Sequence, residues 1–359
     1  MALFDPLALR SVTLPNRIGV APMCQYSATD GLANDWHLVH LGARAAGGAG
    51  LVISEATAVS PEGRITPHDL GLWDDGQVAG LARIAAFLAA QGSVPAIQLA
   101  HAGRKASTRR PWDGGGRADA HEGGWTPIFA PSPVPFDEGW QVPEPLDAAG
   151  LDRVVEAFVA AARHALAAGF RAVEIHAAHG YLLHEFLSPL ANRRSDACGG
   201  SLENRMRLPL RVVEAVRTAW PEELPLLLRI SATDWVEGGF VPEEAVAFAR
   251  EAHRLGVDLV DCSSGGMDPQ ARVPLAPGYQ VPFAEKVRTE AGVPTAAVGL
   301  ITDPRHADDI LARGQADLVL LGREFLRTPQ WPLEAAATLD VPLRGPLPYE
   351  RARPYRKTS

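Results

Sequence analysis

Eight short apolar runs, each bounded by glycine, proline or charge, set the tightest limit on how this chain can fold. They cover residues 17–23, 51–57, 94–100, 172–178, 226–232, 259–264, 294–299 and 318–322. Their apolar character is near-continuous rather than alternating, as in strands buried on both faces of a parallel sheet. Helical patterns fill the intervals. The clearest is 152–168, where Val154, Val155, Phe158, Val159, Ala162 and Leu166 recur at helical spacing between Asp152 and Gly169. Residues 203–220, 242–255, 281–291 and 304–313 read as helices too, with Pro242 and Pro304 suited to a first turn. Strand and helix alternating in this way predict the α/β class and a (β/α)8 TIM barrel, one domain over residues 1–359. A doubly wound sheet binding a dinucleotide would usually carry G-x-G-x-x-G after its first strand. That turn is absent, as are the P-loop and the G-x-S-x-G elbow.

Composition excludes several classes. Of 359 residues 47% are hydrophobic and 21% charged, a globular balance that rules out a disordered chain. The net charge of -8 offers nucleic acid no broad basic face. Cys24, Cys198 and Cys262 lie far apart and make neither a disulfide framework nor a zinc set, so a cytoplasmic protein is expected. Asp5, Pro6 and Arg10 interrupt any targeting segment at the start, and no apolar run is long enough to predict a membrane span.

One connection is anomalous. Residues 101–147, after the third strand, are rich in Gly, Pro, Trp and charge, and a loop that long predicts a lid or binding excursion. It leaves at the end where barrel active sites sit, among the C-terminal ends of the strands. Polar residues at those ends are Cys24 and Tyr26, Glu55, Gln98 with His101, Arg104 and Lys105, then Glu174, His176, His179 and Tyr181. The two histidines and the phenol could bind a metal, donate to one anionic oxygen, or be satisfied in the core. H-E-x-x-H is absent, and no metal is expected. Arg229 sits inside an apolar strand and needs a partner, either a structural carboxylate such as Glu174 or an electron-rich ligand. Gly299, Gly322 and Arg323 follow the last two strands, where barrels often bind phosphate.

The motifs that fill these positions are specific. They are Ala21-Pro-Met-Cys-Gln-Tyr26, Glu55-Ala-Thr-Ala-Val-Ser-Pro-Glu-Gly-Arg64, Gln98-Leu-Ala-His-Ala-Gly-Arg-Lys105 and Glu174-Ile-His-Ala-Ala-His-Gly-Tyr181. Leu187-Ser-Pro-Leu-Ala-Asn192, Gly199-Gly-Ser-Leu-Glu-Asn-Arg205, Ala297-Val-Gly-Leu-Ile-Thr-Asp303 and Gly322-Arg323 add to them. Together they resemble the Old Yellow Enzyme family of FMN-dependent ene-reductases, more narrowly its thermophilic-like branch, over nearly the whole chain.

The resemblance implies FMN as cofactor and NADPH or NADH as reductant. It implies that Ala21, Pro22, Met23 and Cys24 line the flavin, with Cys24 tuning its potential. Ala56 and Gln98 match ring contacts, Arg229 the cation at the pyrimidine edge, and Gly299, Gly322 and Arg323 the phosphate site. His176 and His179 match the pair that hold a substrate oxygen, Tyr181 the proton donor and Tyr26 a second phenol. The implied reaction reduces the C=C bond of an α,β-unsaturated carbonyl or nitro compound. Arg351, with Arg353 close by, matches an arginine on a C-terminal tail (345–359) that reaches a neighbouring subunit's pocket, so a homodimer or dimer of dimers is expected. The other readings are a flavin-free phosphate-binding lyase or isomerase, and a non-catalytic flavin-binding protein. Neither nucleic acid nor membrane is an expected partner.

Overall fold

Burial on both faces dictates the sheet. The computed structural model describes residues 1–343 and 345–352. In chain order its strands are β1 (Leu7–Leu9), β2 (Val12–Leu14), β3 (Ile18–Val20), β4 (Leu51–Ala58), β5 (Val94–Ala100) and β6 (Phe129–Ala130). Then come β7 (Glu144–Pro145), β8 (Ala172–Ala177), β9 (Leu226–Ser231), β10 (Leu259–Ser263), β11 (Thr295–Ala297) and β12 (Leu318–Leu321). β3, β4, β5, β8, β9, β10, β11 and β12 close into a parallel barrel in that order, and every residue in them is buried. The expected (β/α)8 architecture is thus present, with all eight apolar runs in the barrel.

The helices are α1 (Asp35–Ala46), α2 (Val78–Ala90), α3 (Ala148–Ala167), α4 (Leu182–Leu187) and α5 (Leu202–Ala219). They continue with α6 (Pro242–Arg254), α7 (Val281–Ala291), α8 (Pro304–Ala312), α9 (Arg323–Arg327) and α10 (Trp331–Thr338). α3 starts earlier than the pattern around Asp152 predicts. Asp147 caps it, its side chain accepting from the Gly150 N–H at 2.7 Å, so the polar first turn is already helical.

Two features had no signal in the periodicity. β1 and β2 form an antiparallel hairpin whose Leu7, Leu9, Val12 and Leu14 are buried. At its tip Arg10 meets Asp258 at 2.7 Å and the Ser11 N–H donates to the Glu223 carbonyl at 3.1 Å. Asp258 and Glu223 precede β10 and β9, so the hairpin lies across the N-terminal end of the barrel. Residues 101–147 run between β5 and α3 as single turns plus the short β6–β7 pair.

Candidate active site

Strand register decides what meets at the C-terminal rim. His176 on β8 lies beside Arg229 on β9, and Arg229 beside Asp261 on β10. One row below, Gln98 on β5 lies beside Glu174. The ion-pair partner of Arg229 is therefore Asp261, Nε to Oδ2 at 2.9 Å, rather than Glu174, whose register neighbour on β9 is Leu227. Glu174 instead accepts from the Gln98 amide at 2.7 Å. Burial, helped by the charge of Asp261, pushes its carboxyl up to about 8. Its Oε2 has no hydrogen-bond partner.

Past β8 the chain turns sharply. His179 and Gly180 both have positive φ, 59° and 72°. The Ala178 N–H donates to His176 Nδ1 at 3.2 Å, which leaves the ring proton on Nε2. That nitrogen lies 3.4 Å from His179 Nδ1, and His179 Nε2 lies 2.7 Å from Ser263 Oγ. Tyr181 completes the cluster, its ring 5.1 Å from that of His176. Burial, reinforced by the Arg229 charge, drives both histidines well below their ordinary pKa, so they are neutral. Burial drives Tyr181 well above its ordinary value, with Cys24 and Asp69 adding to the shift. Two neutral imidazoles and a protonated phenol can donate hydrogen bonds and one proton to a common space.

Lys105 reached the rim in the sequence without a role. Its Nζ donates to the carbonyls of His179 at 2.8 Å and Gly266 at 3.0 Å, and lies over the rings of Phe136 and Tyr181. Burial, then Arg104, lowers it to about 8.

Opposite stands the segment after β3. Pro22, Met23, Cys24 and Tyr26 are half-buried, and Tyr26 also has a positive φ, 49°. Glu55 Oε2 accepts the Gln25 N–H at 2.9 Å and fixes the segment from below. Burial, then Asp69 and Glu55, pushes the Cys24 thiol well up, so it is a thiol and not a thiolate nucleophile. Trp112, from residues 101–147, sets its ring edge-on to Tyr26 at 5.8 Å although it is 61% exposed.

A cleft of about 160 Å3 leads away, lined among others by Arg229, Ser263, Gln280, Gly299, Gly322 and Arg323. Arg323 is exposed and lines the cleft, and among the described residues its guanidinium makes no hydrogen bond or ion pair. A Cβ on Gly322 would make ordinary van der Waals contact with Met23 Sδ at 3.7 Å. An anion would find a cation and bare backbone at one end, and a flat polar ring would find Arg229 and Gln98 at the other. These residues fit FMN. Ala21 and Ala56 are buried at the rim between the two ends. Arg351 is exposed on the turn Leu347–Ala352, and Arg353 lies outside the described residues.

Several residues escaped the sequence reading: Asp261, Ser231, Ser263, His184 and Asp234 had no signal beyond their place in or near the motifs.

Comparisons with known proteins bear on the family and the fold. The model of the NADH:flavin oxidoreductase / NADH oxidase family matches residues 2–341. An NADPH dehydrogenase of Geobacillus thermodenitrificans is 48% identical over 351 residues, 97% of this chain and 98% of its own. Morphinone reductase superposes with a TM-score of 0.79 at 31% identity, over 97% of this chain and 92% of its own. An Old Yellow Enzyme homologue from Zymomonas mobilis gives 0.79 at 28% identity, over 96% and 94%. The chain spans about half the length of a 2-naphthoyl-CoA reductase that it also resembles, 52% of that chain at a TM-score of 0.83. The family match sets aside the flavin-free lyase or isomerase. Among the described residues no helix is long and apolar enough to cross a membrane.

Proposed function

The chain belongs to the Old Yellow Enzyme family of NADH:flavin oxidoreductases, and on that premise we propose that it reduces the activated C=C bond of α,β-unsaturated carbonyl or nitro compounds. It is an FMN-dependent oxidoreductase served by NAD(P)H. The observation that carries the substrate class is the pair of neutral histidines beside a protonated phenol, all three rings packed together at the rim.

Gly299, Gly322 and Arg323 would hold the FMN phosphate, Gln98 and Arg229 the polar edge of its ring, and Ala21, Pro22, Met23, Cys24 and Ala56 its faces. The bound flavin supplies hydride chemistry. His176 donates its Nε2–H to the substrate oxygen. The Ser263 hydroxyl can donate as well as accept, so His179 can move its proton to Nδ1 and donate to the same oxygen. As that oxygen gains negative charge, two fixed donors in a site shielded from water stabilise it more than they stabilise the starting carbonyl or nitro group. Tyr181 gives its hydroxyl proton to Cα. Tyr26 walls the pocket with Trp112. Cys24 stays a thiol and tunes the flavin's potential. Residues 101–147 serve as the lid, and Arg351 reaches the neighbouring subunit's pocket in a homodimer or dimer of dimers.

The purified protein should release FMN on denaturation and oxidise NADPH or NADH in proportion to added enone. FMN present with no enone- or nitroalkene-dependent oxidation of either nucleotide would refute the reading.

A further inference from the structure

His179 is a β-carbon residue in left-handed backbone, followed at once by a second left-handed residue. Such a pair is strained at the histidine and persists only where the surroundings over-determine it. Three side chains do so. Ser231 Oγ accepts the His179 N–H at 2.9 Å and Lys105 holds the His179 carbonyl at 2.8 Å. The third is His184, whose Nδ1 accepts the Gly180 N–H at 2.9 Å.

His184 differs from the other two because its acceptor depends on where its proton sits. The Gly180 N–H can donate only to a bare Nδ1, so the proton belongs on Nε2. Nε2 lies 3.0 Å from Asp234 Oδ1, an electrostatic contact between two buried atoms that make no hydrogen bond elsewhere among the described residues. The other carboxylate oxygen accepts from the Ser188 hydroxyl at 2.6 Å and the Phe240 N–H at 2.7 Å. Both side chains are wholly buried. Burial pushes the Asp234 carboxyl up, but His184, Ser188 and Phe240 together hold it below its ordinary value, so it stays ionised. A carboxylate charge beside Nε2 favours the tautomer that carries its proton there and leaves Nδ1 bare. His184 lies on α4, and Tyr181 is the residue that caps α4, so one imidazole ties Gly180 to the helix that follows it.

We infer that His184 is a positioning residue for the substrate-oxygen site, acting through the Gly180 N–H, and that Asp234 fixes the tautomer which lets it do so. The inference rests on the proposed role of His176 and His179 in holding the substrate oxygen. Neither His184 nor Asp234 is assigned to contact the substrate.

The test titrates the FMN-loaded enzyme with 4-chlorophenol, an enolate mimic, and reads the long-wavelength charge-transfer band. His184→Ala should weaken phenol affinity by about 10- to 100-fold, the scale of a small displacement of a binding group, with FMN content unchanged. His184→Asn, whose amide oxygen can stand where Nδ1 stood, should recover most of that loss. Asp234→Asn should lose affinity with His184 still in place. Histidine-selective 15N spectra of the unmutated enzyme should show His184 as the neutral Nε2–H form, and they test the tautomer even if a variant fails to fold. Wild-type phenol affinity in His184→Ala, recovery no better in His184→Asn, or an Nδ1–H or doubly protonated His184 would overturn the inference. His176→Ala separates the two levels. If it keeps full phenol affinity, the site reading falls and this inference with it. If it loses affinity while His184→Ala does not, this inference alone falls.

Discussion

The turn at His179–Gly180 and the excursion tip at Gly114–Gly116 are both runs of left-handed backbone, held in opposite ways. In the turn there is no room. A Cβ on Gly180 would stand 2.1 Å from the Gly266 carbonyl oxygen, and one on Gly266 would stand 2.6 Å from His179 Cα. At the tip a Cβ on any of the three glycines would meet nothing within 4 Å. The tip keeps its shape because glycine permits it, whereas the turn keeps its shape because neighbours from β9, β10 and the start of the excursion forbid anything else. Local strain is tolerable at a binding site when packing, rather than composition, enforces it.

The sharpest test removes a proton from the turn without moving it. Tyr181→Phe should cut the enone half-reaction by roughly 10²–10³-fold, in the range of a lost general acid. Rapid-mixing kinetics would check it, with flavin reduction by NADPH as the internal control. A loss of less than a few-fold would take Tyr181 out of the proton path.

Gly266→Ala should come next, because its Cβ drives into His179 while touching no ligand. Steady-state kcat/KM for an enone should fall by about 100-fold, the effect of displacing a donor by an ångström. The counterpart Gly115→Ala should leave kcat/KM within about 2-fold and lower stability by about 1–2 kcal/mol, the cost of a side chain in left-handed backbone. Equal damage from both variants would erase the contrast between the two regions.

A smaller effect belongs to Trp112, which joins the excursion to the site through Tyr26. Trp112→Ala should raise KM for a bulky cyclic enone several-fold more than for a small acyclic one, on the scale of an edge-to-face contact of about 0.5–1.5 kcal/mol. Identical changes for both substrates would show that the ring does not read substrate size.

The smallest concerns Glu185, at the joint between the two regions. It is wholly buried, accepts the Arg104 N–H at 2.8 Å, and leaves Oε2 unpartnered. Burial raises its carboxyl to about 8. A raised carboxyl holds a proton that the unfolded chain has already lost, so its stabilisation is complete below the ordinary carboxyl range and disappears as pH rises through about 8. Glu185→Gln, neutral at every pH, should show a shallower fall in melting temperature between pH 5 and pH 9. A steeper fall than in the unmutated protein would contradict the assignment.

The barrel was legible because parallel strands buried on both faces leave long apolar words in the chain, and all eight lie where those words are. The clustering of candidate site residues was legible wherever one motif holds them, as His176, His179 and Tyr181 are held. Arg229 was legible as a buried charge, but its partner was not, because register and not sequence distance places Asp261 beside it. The clamps on the turn were not legible either. Lys105 was placed at the rim but given no role, and Ser231 and Gly266 were not singled out, because the three come from separate strand ends and meet only when the barrel closes. The hairpin β1–β2 escaped because two strands of three residues carry too little pattern to read.

That hairpin has a further consequence. It lies across the lower end of the barrel, so His176, Arg229 and Asp261 are approached from the opposite, C-terminal rim. On the proposed reading a nicotinamide and an enone both need the few ångströms beside that row, and must queue for it. Traffic of this kind is alternating rather than simultaneous. Crowding by either visitor should therefore slow turnover by blocking the other, and raising the second should clear the blockage.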